Sequence, residues 1–320
     1  MQQQIKRIFV TGGSGFLGHA LCARLALEGH LVRASVRGRH SASVATDIEM
    51  VQGELEPEYD WSLSLRGVDA VVHTAARAHV ISNRAENSLE LFRAANVAAT
   101  LNLARQAAAT GVRRLIFISS VGVNGGQTNG VAFSEVDCPN PHTPYAISKY
   151  EAEQGLREIA RDTGLEVIII RPPLIHGPGA PGNFGALLRA LASGWPLPLG
   201  ALTRNRRSLV GLDNLVDFII TCLWCPQGVN ETFLVSDGED LSTADLLRRL
   251  CAAMAKPARL LPVPVGLLAL GTKLLDKSEM FKSLSGSLQV DISKTREVLG
   301  WRPPIGVDEG LKRAVGGLRC

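Results

Sequence analysis

VTGGSGFLGHAL, which spans residues 10–21, is the stretch that decides the fold of this 320-residue chain. An apolar run typical of a buried strand leads into it, and a helical pattern follows it and ends at Gly29. Between the two lie Gly12, Gly15 and Gly18. Gly12 permits a tight turn, Gly15 lets a ligand approach the backbone, and Gly18 lets the helix pack closely on the strand. The pattern therefore predicts a strand, a glycine-rich turn and a helix.

This turn has the chemistry of a phosphate-binding loop. The helix begins near Phe16 and Leu17, where its first backbone N–H groups have no partner within the helix. Those groups and the positive end of the helix dipole attract the phosphates of a nucleotide. A glycine triplet alone is weak evidence, but the strand before it and the helix after it supply the required context. We therefore expect Gly12, Gly15, Phe16, Leu17 and Gly18 to hold a dinucleotide.

The rest of the first half continues to alternate short apolar strands with helices. Strands are predicted at residues 31–36, 69–73, 114–119 and 166–170, and helices at 88–110 and 145–163. Nearly continuous apolar strands separated by helices indicate a parallel sheet that is covered on both faces. The predicted fold class is therefore α/β, with a doubly wound (Rossmann) parallel sheet.

The pattern changes after Arg171, where proline and glycine cluster and strands become sparse. We predict a dinucleotide-binding Rossmann domain at residues 1–171 and a smaller C-terminal α/β substrate-binding cap at 172–320. Within the cap, a region at about 205–235 is expected to return to the sheet, at Ser208–Val210 and Glu231–Val235.

Composition and charge exclude several classes of function. The net charge is +4 and no basic run occurs, so nucleic-acid binding is not expected. The N-terminus runs directly into a strand, which predicts a cytoplasmic protein without a signal peptide. The apolar segment Leu260–Leu275 is too short to span a bilayer, so membrane insertion is not expected, although a peripheral membrane contact there stays open. The six cysteines suggest neither disulfides nor a metal site, and Cys222 and Cys225 are expected to pack within a helix.

The end of the second strand bears on which dinucleotide binds. A chain that binds NAD is expected to carry an acidic residue there, but this strand ends in Val36, Arg37, Gly38 and Arg39. The two arginines suit the 2′-phosphate of NADP, or else they are solvated loop residues. The pattern favours NADP over NAD.

Glu54 and Leu55, which follow the third strand, are expected near the adenine of the same cofactor.

A second motif, PYAISKYE at residues 144–151, has Tyr145 and Lys149 on one face of a helix, one turn apart. With the glycine-rich turn, this motif resembles the extended short-chain dehydrogenase/reductase family, in particular its nucleotide-sugar epimerases, dehydratases and reductases. The motifs that carry the resemblance are, in chain order, TGGSGFLG, VVHTAA, NVAAT, LIFISSVGVNG, YAISK, RPPLIHGPG, RRSLVGLDNLVD and LGWRPP. They extend over nearly the whole chain, and they are more specific for the family than for the reaction.

The resemblance implies a catalytic role for the pair. The ordinary pKa of tyrosine is about 10, and Lys149 together with the positive nicotinamide ring is expected to lower the pKa of Tyr145. Tyr145 would then exchange a proton with a sugar hydroxyl, and Lys149 would also hold the nicotinamide ribose. The family pattern SSxxVxG assigns the third catalytic position to Ser120, with Ser119 as the alternative.

Other site residues are implied by the same resemblance. Ala75 and Ala76 are expected where the backbone passes the cofactor, and Pro172 beside the nicotinamide. Asn96 is expected to steady the local backbone. His73 is expected to be a structural residue at the end of a strand and not an acid.

A nucleoside diphosphate sugar, UDP-linked, is the substrate that the resemblance implies. Arginine suits a diphosphate because its planar guanidinium matches phosphate oxygens. Arg207 matches the family position and Arg206 is the alternative, while Asn183 is expected to contact the diphosphate or the sugar. His176 is a candidate neighbour of the substrate. The sequence departs from the epimerase pattern where a second arginine is expected, because only Lys282 occurs nearby.

The resemblance leaves three reactions of the family as candidates. A 4,6-dehydratase needs an acidic pair directly after the catalytic hydroxyl, but Val121 and Gly122 follow Ser120, so dehydration is rejected. The main prediction is an NAD(P)-dependent UDP-sugar 4-epimerase of surface polysaccharide synthesis, and the alternative is a UDP-4-keto-6-deoxy-sugar 4-reductase. A non-catalytic cofactor sensor is a more distant alternative, against which the intact YAISK motif argues. The resemblance further implies a homodimer through the helices at 88–110 and 145–163.

Overall fold

The computed structural model describes residues 6–38, 48–78, 88–274 and 278–317, without the side chains of 274 and 278–280. The strands are β1 (Arg7–Thr11), β2 (Leu31–Val36), β3 (Ile48–Gln52), β4 (Ala70–His73), β5 (Arg114–Ile118), β6 (Glu166–Arg171), β7 (Leu174–His176), β8 (Leu209–Gly211) and β9 (Thr232–Leu234). The helices are α1 (Phe16–Leu27), α2 (Ser62–Leu65), α3 (Ser88–Phe92), α4 (Ala99–Ala109), α5 (Pro144–Thr163), α6 (Gly182–Ala192), α7 (Leu212–Trp224), α8 (Thr243–Ala253), α9 (Val265–Leu274), α10 (Ser278–Ser285), α11 (Ser293–Leu299) and α12 (Val307–Gly316). A π-helical turn, Arg93–Ala98, joins α3 to α4.

One parallel sheet organises the described part of the chain. Its seven strands lie in the order β3-β2-β1-β4-β5-β6-β9, and each neighbouring pair is parallel. The order 3-2-1-4-5-6 is that of doubly wound dinucleotide-binding folds, in which ligands bind where the strand order reverses. That reversal lies between β1 and β4, which pair from Ile8 with Ala70 to Thr11 with His73. The predicted fold class is confirmed, and the glycine-rich turn leaves the sheet at this crevice.

Helices cover both faces of the sheet, as its apolar strands require. On one face α1 packs with α7, and Leu21 and Phe218 belong to the same buried cluster. On the other face α4 packs with α5, and Leu103 and Leu156 belong to a second cluster. Burial of each such side chain stabilises the fold by about 1.5–3 kcal/mol. The two cores therefore fix the carboxyl ends of the strands, where the candidate site lies.

Several elements after β6, though not α7 or β9, pack around a third core, and we call this group the cap. Helices α6, α8 and α12 contribute to one buried cluster that includes Phe184, Leu247 and Leu311. β9 returns to the main sheet beside β6, as predicted for 231–235. The return predicted at 208–210 is wrong, because β8 pairs with β7 in a separate two-stranded sheet. The division into domains at residue 171 stays a prediction.

Helix α5 is defined at both ends by its own sequence. Oγ1 of Thr143 accepts a hydrogen bond from the backbone N–H of Ala146 at 3.1 Å, Pro144 lies in the first turn, and Gly164 follows the helix with a φ of +76°. A hydroxyl cap, an early proline and a left-handed glycine are common signals of helix boundaries. The helix predicted at 88–110 is present as a continuous helical run over α3, the π-helical turn and α4.

Candidate active site

The glycine-rich turn has a shape that only glycine permits at two positions. Gly12 has a φ of +72°, and a Cβ there would lie 3.0 Å from the Cα of Ala75. A Cβ on Gly18 would lie 2.2 Å from the carbonyl oxygen of Gly12, so α1 packs directly on the turn. The N–H of Gly15 donates to that same oxygen at 2.8 Å. The tight turn and the close helix packing predicted for Gly12 and Gly18 are therefore present.

The N-terminus of α1 is open to an anion. The helix starts after Gly15, which has no side chain to cap it, and its first turn reads Phe-Leu-Gly-His, without a carboxylate. Backbone N–H groups at such an end lack a helical acceptor and lie at the positive end of the helix dipole. Because the turn also touches Ala75 just beyond β4, this end lies at the crevice of the sheet. The residues present fit a nucleotide diphosphate, which the N–H groups of Phe16 and Leu17 would hold.

Other predicted cofactor residues follow the carboxyl ends of neighbouring strands. Ala75 and Ala76 come after β4, and the N–H of Ala75 donates to Oγ1 of Thr11 at 3.3 Å. Glu54 and Leu55 come after β3 and are half-buried. Adjacent parallel strands end at the same edge of a sheet, so these residues lie along the edge that carries the glycine-rich turn.

Arg37 is exposed just beyond β2, on the strand that contacts the glycine-rich turn. The carbonyl of Ser35 in β2 accepts from the N–H of Gly13 at 2.9 Å, and its hydroxyl accepts from the N–H of Gly12 at 3.3 Å. A residue two positions beyond Ser35 therefore extends from the strand beside the turn. Arg39, the second arginine that favoured NADP, lies outside the described residues.

Lys149 brings a buried amine to the carboxyl end of β5. Its Nζ donates to the carbonyl oxygen of Ile118, the last residue of β5, at 2.8 Å and lies 4.5 Å from the centre of the Phe117 ring. The same nitrogen lies 5.9 Å from the centre of the Tyr145 ring, so the predicted pair does meet on one face of α5. Burial lowers the pKa of Lys149 to about 7, against an opposing effect of the Glu153 carboxylate. The amine is therefore only partly charged near neutral pH.

Tyr145 does not have the lowered pKa that the sequence predicts for the pair. Its half-buried ring packs edge-on against Phe92, with the ring centres 6.1 Å apart, and burial raises the pKa of Tyr145 to about 12. Burial penalises the phenolate, and a partly neutral Lys149 offsets that penalty weakly. The protein's own contribution thus has the opposite sign to the one predicted, and the contribution expected from a positive nicotinamide ring stays a prediction.

The two adjacent serines after β5 have different surroundings. Ser119 is buried, and its Oγ donates to Oε1 of Glu153 at 2.6 Å. Ser120 is half-buried, and its Oγ accepts from the N–H of Gly122 at 3.1 Å. A hydroxyl that accepts a hydrogen bond still has its own proton to donate. This arrangement favours Ser120 over Ser119 as the group that contacts a substrate oxygen, and its catalytic role stays a prediction.

A buried ion pair behind Lys149 was missed by the sequence analysis. The fully buried carboxylate of Glu153 accepts two hydrogen bonds from Arg171, at 2.9 Å to Oε1 and 2.5 Å to Oε2. Nη1 of Arg171 also donates to Oδ1 of Asn124 at 3.0 Å. The available signal was a glutamate four residues after Lys149, which shares its face of α5. No local pattern connects that glutamate to an arginine at the end of β6.

Asn96 steadies the local backbone, as predicted. Its Oδ1 accepts from the N–H of Arg77 at 2.8 Å, and its Nδ2 donates to the carbonyl of Arg77 at 3.0 Å and to Oγ of Ser148 at 3.1 Å. Asn96 belongs to the π-helical turn, so the turn connects the segment after β4 to the helix that carries Tyr145.

His73 is a structural residue, as predicted. Its Nδ1 lies 2.7 Å from Oγ1 of Thr11, and its Nε2 lies 2.9 Å from Oγ1 of Thr100. Burial lowers the pKa of His73 to about 3, with a further contribution from the charge of Lys149. A neutral ring with both nitrogens engaged stabilises β4 and does not serve as an acid.

The candidate substrate-binding residues lie in the cap. Nη1 of Arg207 donates to the carbonyls of Ser283 at 2.6 Å and Gly286 at 3.1 Å, which anchors the guanidinium at the end of α10. An arginine has five N–H donors, so this anchoring leaves capacity for a diphosphate. Arg206 is exposed beside it, and Asn183 is exposed in the first turn of α6. The roles of Arg207 and Asn183 in substrate binding stay predictions.

Pro172 and His176 both follow β6, but they have different surroundings. The carbonyl of Pro172 accepts from the N–H of Val121 at 3.0 Å, which ties the end of β6 to the loop that carries the candidate serine. His176 is fully buried, with Nε2 2.8 Å from Oδ2 of Asp237 and its ring 5.8 Å from that of Phe184. The structure therefore does not support His176 as a neighbour of the substrate, because the ring is part of the interior of the cap.

Fold and site together define a dinucleotide-dependent enzyme in which a tyrosine–lysine pair lies at the carboxyl edge of a Rossmann sheet. Residues 8–235 match the NAD dependent epimerase/dehydratase family, and the chain belongs to that family. This confirms the resemblance drawn from the motifs.

The chain has relatives along nearly its whole length. It is 44% identical over 310 residues to the UDP-glucose 4-epimerase of Vibrio cholerae, and the alignment covers 96% of this chain and 94% of that protein. It is 28% identical to the 2-alkyl-3-oxoalkanoate reductase of Shewanella oneidensis, over 97% of this chain and 86% of that protein. The crystal structure of the UDP-glucose 4-epimerase of Thermotoga maritima with UDP-glucose matches with a TM-score of 0.79 at 24% identity, over 98% of each chain. This last likeness concerns the fold.

Proposed function

We propose that the chain is an NAD-dependent 4-epimerase of a UDP-linked sugar. The observation that carries the proposal is the position of the Tyr145–Lys149 pair. Lys149 is hydrogen-bonded to the last residue of β5, on the edge of the sheet that also carries the glycine-rich turn. The 44% identity to a UDP-glucose 4-epimerase over nearly the whole chain supports the same reaction.

The chain's own residues would move the proton and orient the sugar. NAD, when bound, supplies the hydride acceptor for C4. Tyr145 would take the proton of the C4 hydroxyl as that carbon becomes a ketone, and would return it when the ketone is reduced. Ser120 would donate a hydrogen bond to the same oxygen. Arg207 would retain the diphosphate while the planar ketone turns over, so that reduction on the opposite face inverts C4.

NAD is the cofactor within this proposal. The family description names NAD, and the comparisons do not support the sequence-based preference for NADP. Arg37 is then a solvated residue of the loop beyond β2, in keeping with its exposure. We expect Lys149 to contact the nicotinamide ribose, because its amine lies at the crevice end of β5.

One experiment identifies the cofactor and the reaction together. The purified protein is denatured and the released nucleotide is identified by chromatography. Untreated protein is then incubated with UDP-glucose or UDP-N-acetylglucosamine, and the configuration at C4 is followed by NMR. We expect bound NAD and conversion to an equilibrium mixture without net consumption of cofactor. A different result would identify a reductase: the denatured protein releases no nucleotide, and the untreated protein epimerises neither sugar but consumes one NADPH per UDP-4-keto sugar.

The homodimer implied by the family resemblance is also part of the proposal, as is a cytoplasmic location. The surface that a dimer would use is an outward groove along the π-helical turn and α4, whose lining includes the ion pair of Arg93 and Glu151 with a 2.5 Å contact. Sedimentation equilibrium over a range of concentrations tests the oligomeric state.

A further inference from the structure

Two segments of the cap expose large apolar side chains. We define the apolar surface as Trp195, Leu261, Val265, Leu267 and Leu270. Their exposed fractions range from 43% to 75%. The helix α9 reads VGLLALGTKL, so it is apolar nearly all round. A helix of that kind is normally buried or in contact with lipid, and clustered exposed apolar residues of this kind mark an interaction site.

Hydrogen bonds hold the two parts of the apolar surface next to each other. The N–H of Leu197 donates to the carbonyl of Arg259 at 2.9 Å, and the N–H of Leu261 donates to the carbonyl of Leu197 at 2.8 Å. The guanidinium of Arg259 reaches the carbonyl of Gly194, the residue before Trp195, at 3.3 Å. The exposed tryptophan is therefore fixed beside the segment that leads into α9.

The stretch of sequence that contains α9 carries charges of one sign. No aspartate or glutamate occurs between Asp245 and Asp276 in the sequence. Lys256, Arg259 and Lys273 are exposed within that interval. Nζ of Lys256 donates to the carbonyl of Ala192 at 2.5 Å, which keeps its charge close to the loop that carries the tryptophan.

We infer that the apolar surface docks onto an anionic lipid bilayer. Exposed leucines and valine beside a tryptophan, with the basic side chains of Lys256, Arg259 and Lys273 in the same region, form the pattern of a helix that lies in a membrane interface. A second copy of the chain fits less well, because a two-fold interface would bring the same basic side chains together. In the described parts of the chain, no helix has the length and apolar character needed to cross a bilayer. The contact is therefore peripheral.

The docking surface adjoins the substrate side of the cap. Helix α9 packs on α10, and the carbonyls of Ser283 and Gly286 at the end of α10 hold the guanidinium of Arg207. Docking would therefore bring the substrate end of the cap close to the membrane plane. The inference does not depend on the proposed reaction, and lipid binding is measured without turnover.

Vesicle co-sedimentation tests the inference with the full chain. Vesicles of phosphatidylcholine with 40% phosphatidylglycerol are compared with pure phosphatidylcholine. We expect the protein to pellet with the anionic vesicles and to remain in solution with the neutral ones. The double variant Leu267→Glu/Leu270→Glu should lower the partition coefficient at least tenfold, and Lys256→Gln/Arg259→Gln should weaken the salt-sensitive part of the binding.

Matched controls keep the outcome clear. Leu63→Glu, at an exposed leucine of α2, and Arg161→Gln, at an exposed arginine of α5, should bind vesicles like the parent protein. Circular dichroism melting curves verify that each variant is folded. Absence of binding to anionic vesicles would overturn the inference. So would sedimentation that reveals a dimer in the parent protein and a monomer in Leu267→Glu/Leu270→Glu, because the apolar surface would then be covered by a second copy.

Discussion

The hydroxyl of Ser119 donates to the buried carboxylate of Glu153 at 2.6 Å, and this bond distinguishes Ser119 from Ser120, the residue that the family pattern assigned to the catalytic position. Ser119 is committed to an interior network, whereas Ser120 is half-buried and retains a proton to donate. Two consecutive residues thus have different positions: Ser119 belongs to the buried network behind the site, and Ser120 lies at the surface of the site.

Replacement of the two serines should affect activity differently. Ser120→Ala should lower kcat by about 10²-fold or more, because an oriented hydrogen bond to the reacting oxygen is lost, and should cost about 0.5–2 kcal/mol of stability, because the N–H of Gly122 loses its acceptor. Ser119→Ala should retain most of the activity and lose about 1–3 kcal/mol of stability, because a buried hydrogen bond to a charged group is removed. Turnover and urea denaturation measured on both variants decide between the two serines. A larger loss of kcat in Ser119→Ala would reverse the assignment.

The buried ion pair predicts a large effect of Glu153→Gln on stability. Arg171 would be left as an uncompensated buried charge, which costs about 3–5 kcal/mol. The matched control is Glu151→Gln, two residues earlier on α5, whose partner Arg93 is half-exposed. Loss of that surface pair should cost at most about 1 kcal/mol. Urea denaturation compares the two variants. Equal losses in the free energy of unfolding would mean that burial of the Glu153–Arg171 pair does not increase its contribution to stability.

Lys149 predicts a dependence of stability on pH with a definite sign. Its pKa is lowered from 10.5 in the unfolded chain to about 7 in the folded protein. Between these values the unfolded chain binds a proton that the folded protein does not, so the free energy of unfolding should rise with pH. The slope contributed by Lys149 is at most about 1.4 kcal/mol per pH unit.

The comparison of the parent protein with Lys149→Met at pH 6, 7, 8 and 9 isolates this slope. The difference in the free energy of unfolding should be flat below about pH 7 and should then increase in favour of the parent. Tyr145, whose pKa is raised to about 12, acts in the opposite sense only above about pH 10. A difference that stays constant across the range would argue against the lowered pKa of Lys149.

The glycine-rich turn predicts that Gly18→Ala lowers both the stability of the fold and the affinity for the cofactor. The new methyl group would lie 2.2 Å from the Gly12 carbonyl and would force α1 away from the turn. We expect a loss of about 1–3 kcal/mol in stability and at least a tenfold weaker affinity for NAD by calorimetry. Gly316→Ala in α12, where a Cβ would meet open space, is the control and should leave both quantities unchanged. NAD affinity equal to that of the parent would contradict the assigned role of the turn.

Local sequence was sufficient for the features that depend on neighbours along the chain. The glycine spacing predicted the turn and its close packing, and the period of the apolar residues predicted the strands of the main sheet. The spacing of four between Tyr145 and Lys149 was enough to bring the two side chains together. Thr143 and Gly164 defined α5 in the same local way.

Features that depend on tertiary contacts were missed or mistaken. The pair of Glu153 and Arg171 joins a helix to a strand, and no periodicity encodes it. The raised pKa of Tyr145 follows from burial, which the motif does not reveal. His176 occurs in a motif of the site but packs into the cap against Asp237. β8 has the sequence of a sheet strand, yet its partner is β7 in a separate two-stranded sheet, a pairing that no local pattern encodes.

The most direct test of the central claim is the rate at which Tyr145→Phe epimerises UDP-glucose at C4, measured by NMR beside Tyr150→Phe. Both variants remove one hydroxyl from the same helix, but only Tyr145 lies beside the Lys149 amine in the described contacts. The account predicts a loss of about 10²–10⁴-fold for Tyr145→Phe with NAD still bound, and nearly unchanged turnover for Tyr150→Phe. Equal turnover in the two variants would contradict it.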